Sequence, residues 1–181
     1  MLGLIAGCSA SRASSAVVRH DAWVREQGGV IPGAKGLVYQ QRVRTAVARL
    51  KGGSLSGAPV RVLNCDDAAA YAWPDGSIFA TRGLVDLLSE DELAAALAHE
   101  MGHLISDGWM QPPVALSGRP AATDCEMRAD DMACVLLRNS GMDAETLSRA
   151  LQRVAGTMDR QDPCRRSLAA RIARLGSDRQ R

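Results

Sequence analysis

The chain has 181 residues, 46% of them hydrophobic and 23% charged, so it is long enough for one compact domain with a buried core. Its 22 basic and 20 acidic residues leave a formal net charge of +2 and form no basic block, which argues against nucleic acid as a partner. The sequence contains no apolar run of about 18 residues or more, so a membrane-spanning helix is excluded and any membrane contact needs an anchor.

The first eight residues contain such an anchor signal. Leu4-Ile5-Ala6-Gly7-Cys8 resembles a bacterial lipobox, in which small residues precede a cysteine that becomes lipidated. We expect residues 1–8 to be a lipoprotein-type signal remnant, and Ser9 favours the outer membrane, facing the periplasm. The alternative is an apolar terminus with an incidental cysteine in a cytoplasmic protein. Residues 9–33 are rich in Ser, Gly and Ala without sustained periodicity, which predicts a tether.

Four further cysteines, Cys65, Cys125, Cys134 and Cys164, show no C-x-x-C spacing. In an oxidising compartment this even number allows disulfides, whereas in the cytosol the same residues would be reduced core residues. A continuous helix over 123–139 would separate Cys125 from Cys134 by about 13 Å, beyond the reach of about 7 Å between bridged Cα atoms. We therefore expect Cys134 or Cys125 to pair with Cys164 or Cys65.

The first half of the chain predicts one helix and a small sheet. Apolar positions between Leu37 and Leu50 fall at the spacings of an amphipathic helix. Val60 to Leu63 is a run of β-branched and aliphatic residues that predicts a short strand. The segments 71–73 and 78–80 predict a hairpin, because Pro74-Asp75-Gly76 between them suits a tight turn.

The second half of the chain is predicted to be helical. Ser89-Glu90-Asp91-Glu92 is a capping box, so a helix should begin there and continue to about residue 105. Thr123, followed three residues later by Glu126, predicts a helix that closes near Gly141. Two shorter helices are expected over 144–155 and about 166–175. The chain is therefore expected to be one α+β domain over residues 34–176, followed by a tail over 177–181.

The helix predicted from the capping box carries His99-Glu100-Met101-Gly102-His103. An i, i+4 spacing places both imidazoles on one face, where their nitrogens can bind a single Zn²⁺. Glu100 then lies beside the metal and can take a proton from a zinc-bound water. The alternative is an Ala- and Leu-rich helix that carries two histidines four apart without binding metal.

A catalytic zinc needs a third protein ligand and one open position. Glu126 and Asp130 share a face of the next long helix, so Glu126 can complete the ligand set with His99 and His103. Asp130 can accept a hydrogen bond from the second nitrogen of a ligand histidine and so fix its orientation. The alternative is a solvated acidic helix face. The prediction is one zinc ion per chain, with Glu100 as the base.

Residues from about Val60 to Leu151 resemble peptidase family M48, the gluzincin metallopeptidases that include HtpX-like and CAAX-prenyl-protease-like enzymes. The resemblance rests on four ordered motifs, in residues 70–76, 78–84 and 99–103 and in Glu126 with Ala129-Asp130. It implies a gluzincin-like α+β domain whose small sheet, with a hairpin edge, packs on the H-E-x-x-H helix and on the glutamate-ligand helix. The implied activity is zinc-dependent endopeptidase cleavage of peptides or unfolded protein, in envelope protein quality control.

Two rival functions remain open. One is a zinc-binding envelope assembly factor or chaperone with little or no peptidase turnover, and the other is a structural helical protein without metal. Glu100 favours the enzyme, because a purely structural zinc site gains nothing from a base beside the metal. Contact with a membrane is expected only through a lipid on Cys8.

Two smaller predictions concern the substrate and the last helix. Either Ile78–Thr81 or its hairpin partner around Tyr71 is expected to be the sheet edge that receives an extended substrate. Arg171 is interpreted either as an oxyanion stabiliser or as a structural ion-pair partner, and the second role is favoured.

Overall fold

The computed structural model describes residues 21–50, 59–73, 75–106 and 122–177. The predicted lipobox with Cys8, the first part of the predicted tether and most of the predicted tail lie outside the described residues. In the part that is described, no helix has the length and apolar character needed to cross a membrane.

Most of the described chain is helical, and the helices surround a small sheet. The elements are, in order, α1 (Gly33–Ala48), β1 (Val60–Leu63), β2 (Ala70–Ala72), β3 (Ile78–Thr81), α2 (Arg82–Leu87), α3 (Glu90–Ser106), α4 (Ala122–Asn139), α5 (Glu145–Thr157) and α6 (Pro163–Ser177). Residues 21–26 are helical as well. The mixed α and β content agrees with the predicted fold class.

The helix that carries the histidine pair begins at the predicted capping box. The backbone N–H of Ser89 donates to a carboxylate oxygen of Glu92 at 2.9 Å, and the N–H of Glu92 donates to the Ser89 hydroxyl at 3.3 Å. These two bonds satisfy amide groups that a helix start otherwise leaves unpaired. Helix α3 then runs through the centre of the fold and contacts α1, α4, α5 and the sheet.

The three strands are arranged in the order β1-β3-β2. The predicted hairpin is present, because β2 pairs antiparallel with β3 and the N–H of Trp73 donates to the Ser77 carbonyl at 2.8 Å. Strand β1 pairs parallel with β3 on the other side. The central strand is therefore Ile78–Thr81, and the expectation that it could be a sheet edge is wrong. Strand β2, the alternative edge, does lie at the margin of this sheet.

Side chains along each strand alternate between the two faces of the sheet, and both faces are covered by other parts of the fold. One set, which includes Val62, Ile78 and Ala80, packs with the helices in the main core. The opposite set is covered by Trp23, whose ring lies 4.9 Å from Tyr71, 5.2 Å from Trp73 and 5.5 Å from Phe79 between centroids. We call these four residues the outer aromatic cluster: Trp23, Tyr71, Trp73 and Phe79.

The free side of β1 is covered by residues 29–31. The N–H of Asn64 donates to the Gly29 carbonyl at 2.8 Å, and the N–H of Ile31 donates to the Val62 carbonyl at 3.1 Å. Residues 21–33, which belong to the predicted tether, are thus folded onto the sheet. Among the described residues, no strand pairs with the outer side of β2.

The predicted disulfides are absent. Cys65, Cys125, Cys134 and Cys164 are free cysteines in the structure. Helix α4 is continuous across Cys125 and Cys134, as expected. The prediction that either would pair with Cys164 or Cys65 is wrong, because a bridge requires two Cα atoms within about 7 Å and an even cysteine count does not specify that proximity.

Candidate metal centre

The candidate site exists because α3 and α4 approach each other unusually closely at Gly102. A methyl group on Gly102 would lie 2.5 Å from the carbonyl oxygen and 3.0 Å from the Cα of Ala129. Two helices that touch through their backbones bring the side chains on either side of the contact together. His99 and His103 on α3 therefore face Glu126 on α4.

The three predicted zinc ligands lie close to one another. Nε2 of His99 is 3.3 Å from Oε2 of Glu126, and Nε2 of His103 is 3.5 Å from Oε1 of the same carboxylate. One ligand atom from each of the three residues lies within 4.8 Å of the others. Tetrahedral ligands at about 2.1 Å from Zn²⁺ are separated by about 3.4 Å. The donor types and their spacing therefore suit a single zinc ion.

Glu100 is placed beside these ligands in an apolar environment. It is 5% exposed, and it borders a small cavity whose other walls include Ala70, Leu84, Leu147 and Leu151. Burial raises the pKa of Glu100 above its ordinary value, although the neighbouring histidines oppose this shift. A carboxyl group with a raised pKa is a stronger proton acceptor when ionised, as a general base requires.

Asp130 lies one helical turn beyond Glu126 and contacts the first histidine. Its Oδ1 atom is 3.0 Å from Nδ1 of His99, and the Asp130 side chain is fully buried. This contact leaves Nε2 of His99 directed at Glu126. A carboxylate in this position fixes the tautomer and ring orientation of a metal-binding histidine.

Arg171 on α6 completes the buried cluster. Its guanidinium donates to both carboxylate oxygens of Asp130, from Nε at 2.9 Å and from Nη2 at 2.6 Å, and its Nη1 donates to Glu126 at 2.7 Å. Nη2 also lies 3.2 Å from Nδ1 of His99. Arg171 has no exposed surface. These contacts correspond to the structural ion-pair partner interpretation of Arg171.

The ion pairs keep the two helix α4 carboxylates charged. Although burial opposes ionisation, contacts with His103, His99 and Arg171 hold the pKa of Glu126 below its ordinary value. The pKa of Asp130 is lowered against the same opposition by His99 and Arg171.

Arginine side chains compensate the two carboxylates on α4. Arg171 contacts both Glu126 and Asp130, and Nη2 of Arg174 lies 4.0 Å from Oδ2 of Asp130. Although burial and Arg171 oppose it, contacts with Asp130 and Glu126 raise the pKa of His99. Buried charges are normally compensated by ions of opposite sign. The donor types and their spacing are therefore what suit this site to a divalent cation.

Comparison with known proteins supports the family resemblance. Residues 39–110 match peptidase family M48. The chain is similar to two proteins of Escherichia coli (strain K12). It is 35% identical over 68 residues to "Metalloprotease LoiP", covering 36% of this chain and 27% of that protein. It is 30% identical over 73 residues to "Metalloprotease YcaL", covering 39% of this chain and 28% of that protein.

The match confirms the predicted resemblance to peptidase family M48 over residues 39–110. The chain aligns with less than a third of the length of either curated relative. The family match contains His99, Glu100 and His103 but ends before Glu126. The place of Glu126 in the site therefore rests on the packing of α4 against α3.

Proposed function

We propose that this chain, whose residues 39–110 match peptidase family M48, is a zinc-dependent endopeptidase that cleaves extended or unfolded protein substrates. His99, His103 and Glu126 would hold one zinc ion, and Glu100 would be the general base. The observation that carries the proposal is the meeting of two histidines and a glutamate from separate helices beside a second, buried glutamate. A zinc site that served only structure would have no use for that second carboxylate.

In the proposed reaction, each buried side chain has a separate task. A bound zinc ion would polarise the scissile carbonyl and lower the pKa of a coordinated water to about 7. Glu100 accepts the proton of the attacking water and passes it to the leaving amine. Asp130 holds the His99 ring in orientation, and Arg171 keeps Asp130 and Glu126 ionised and in place.

Strand β2 is the proposed docking edge for the substrate. The backbone carbonyl of Ala69 accepts a hydrogen bond from the N–H of Thr81, and the N–H of Trp73 donates to the carbonyl of Ser77. The backbone groups of residues 69 and 73 that form these bonds therefore point toward β3. In an antiparallel pair the intervening alternate residues, Ala70 and Ala72, direct their N–H and C=O groups away from β3. Ala72 is partly exposed whereas Ala70 is buried, so an extended peptide would pair first at Ala72, whatever the peptide sequence.

The proposed setting is the bacterial envelope, where the enzyme would act in protein quality control with Cys8 carrying a lipid at the outer membrane. The support is the lipobox-like sequence that ends at Cys8. Expression of the full gene in a bacterial envelope should give a membrane-bound protein with a lipidated Cys8. An intact mass of the membrane fraction that corresponds to unmodified Cys8 would refute this assignment.

The proposed activity is tested by measuring zinc content and casein cleavage on the same purified sample, each with and without a chelator. We expect about one zinc per chain and cleavage that disappears on chelation and returns with added zinc. Zinc at that ratio without cleavage, together with suppressed aggregation of an unfolded protein, would instead support the assembly factor or chaperone. Protein that is free of metal and equally stable with or without zinc would refute the metal site.

A further inference from the structure

We infer that the outer aromatic cluster is a substrate contact surface that gives the enzyme a preference for bulky apolar side chains at alternating positions of an extended peptide. This inference rests on the proposed function, because it assumes that the substrate pairs with β2. It adds a specificity to that function which backbone pairing alone would lack.

Strand geometry determines which substrate side chains meet the cluster. A peptide bound to the outer side of β2 continues the sheet, so its side chains alternate between the two faces. The substrate residues opposite Tyr71 and Trp73 would lie on the same face of the sheet as those two rings. Their Cβ atoms would be about 4.5–5.5 Å from the Cβ atoms of Tyr71 and Trp73. The residues opposite Ala70 and Ala72 lie on the other face, which belongs to the helices and the candidate metal centre.

The cluster presents aromatic surface at this edge. Tyr71 is buried beneath its neighbours, whereas Trp23 and Trp73 are only partly buried. Trp23 packs edge-on against Tyr71 and Phe79 and tilted against Trp73, so the two indoles lie together over β2 and β3. A bulky apolar substrate side chain placed there would cover indole carbon, whereas a charged side chain would lose hydration.

The tyrosine of the cluster also stays uncharged. Burial, with smaller contributions from Cys65, Asp67 and Glu100, raises the pKa of Tyr71 to about 12. The cluster therefore carries no charge at ordinary pH. An uncharged cluster suits a surface that contacts apolar groups. The two tryptophans are the partly exposed residues of the cluster, so they are the positions to test.

The preference can be measured with two fluorogenic peptides of equal length and equal residues at the scissile bond. One carries Leu at alternating positions, and the other carries Ser there. Each aromatic–aliphatic cross-strand pair stabilises the bound peptide. We therefore expect two such contacts to give about threefold to tenfold selectivity for the Leu peptide in kcat/KM. The same ratio should appear in the Kd of the two peptides for zinc-loaded Glu100→Gln protein, measured by fluorescence anisotropy.

Substitutions at the partly exposed indole decide whether the cluster is responsible. Trp73→Ser should reduce the selectivity to less than about twofold, whereas Trp73→Leu should retain most of it because aliphatic surface remains. Val135→Ser, at a half-exposed apolar position on α4, is the matched control and should leave the ratio unchanged. Circular dichroism of each variant shows that the fold is intact.

The outcomes separate this inference from the proposed function. Hydrolysis of both peptides at equal rates, or full selectivity in a folded Trp73→Ser protein, would refute the role of the aromatic cluster in substrate selection. Neither result would contradict the proposed peptidase activity. Selective binding of the Leu peptide without any hydrolysis would support the surface and count against the peptidase.

Discussion

Glu100 and Glu126 belong to the same buried cluster, but the proposed function assigns them different tasks. Glu100→Gln removes the proton acceptor and leaves the three proposed ligands, so zinc should remain near one per chain while peptide hydrolysis falls by about 10²–10⁴. Glu126→Gln replaces an anionic ligand with a neutral amide, so zinc affinity and, with it, the Tm of the zinc-loaded protein should fall.

Metal analysis, calorimetry and a peptide assay on both purified variants test this contrast. Full zinc content and full activity in Glu126→Gln would show that the third ligand lies elsewhere. Undiminished cleavage by Glu100→Gln would refute the proposed base.

Arg171 allows a second test at the residue scale. Arg171→Leu leaves Asp130 and Glu126 buried without their cation, and loss of one partner of a buried ion pair costs about 3–5 kcal/mol. Arg49→Leu breaks pairs with the exposed Glu90 and Asp91, away from the candidate site, and should cost less than about 1 kcal/mol. Urea unfolding of both variants measures the difference, and equal costs would contradict the structural role of Arg171.

Residue patterns predicted part of this site. Local spacing was sufficient to select His99, Glu100 and His103, because they lie within one turn of a single helix. Glu126 and Asp130 could be nominated by their shared helix face. The contacts of Arg171 could not be predicted, because they depend on how α6 packs against α4. One signal was available, since Arg171 lies three residues after the buried Leu168 in the phase of a core residue.

At the scale of helices, Gly102 sets how closely the proposed ligands on α3 and α4 approach each other. Gly102→Ala places a methyl group against the backbone of Ala129, so α3 and α4 must separate and Glu126 must move away from the histidines. We expect weaker zinc binding and a loss of stability, despite the higher helix propensity of alanine.

Gly156 is the matched control for this change. It lies within α5, and a methyl group there meets nothing within 4 Å, so Gly156→Ala should stabilise by about 0.5–1 kcal/mol. Thermal unfolding and zinc titration of both variants make the comparison. A Gly102→Ala protein as stable as Gly156→Ala, with full zinc affinity, would contradict the close helix contact.

The start of α3 predicts a pH dependence of stability. Burial raises the pKa of Glu92, but hydrogen bonds from Ser89 and Arg153 outweigh it and hold the pKa below its ordinary value of 4.5. A carboxyl group whose pKa is lowered by folding stabilises the native state above the unfolded pKa, and this contribution is lost as the pH falls through the folded value. Glu92→Gln should therefore destabilise the protein at neutral pH and reduce the loss of stability below about pH 4.5.

Urea unfolding of wild type and Glu92→Gln between neutral and acid pH is the measurement. The difference in unfolding free energy should shrink on acidification, because the wild-type carboxylate becomes protonated. A difference that is constant across this range would contradict the assignment.

Helices and the hairpin were predictable because their signals are local. The capping box fixes the start of α3, and the turn that includes Asp75 and Gly76 brings β2 beside β3. Three features were missed, and one of them is the helix over residues 21–26, within the predicted tether. Helix α2 is only six residues long and is capped by Thr81, whose hydroxyl accepts from the N–H of Leu84. The parallel pairing of β1 with β3 joins segments separated along the sequence by β2, which no local pattern reports.

For the whole molecule, stability should not depend on disulfides. The four cysteines in the described part of the chain are free, so a reducing agent should leave the Tm unchanged. Thiol titration in denaturant without reductant should detect Cys65, Cys125, Cys134 and Cys164. A Tm that falls on reduction, or a titration that misses two of these thiols, would contradict the unpaired state.

The fold extends beyond residues 39–110, the segment that matches the family. This difference determines which truncated forms of the protein can fold. Residues 39–110 begin after Trp23 and after residues 29–31, and they end before the helix that carries Glu126. A chain trimmed to these limits would open the margin of β1, uncover the outer aromatic cluster and remove the proposed ligand Glu126. We expect such a fragment to aggregate rather than fold, because exposed strand edges and apolar faces promote association. The unit of homology and the unit of folding are therefore different in this protein.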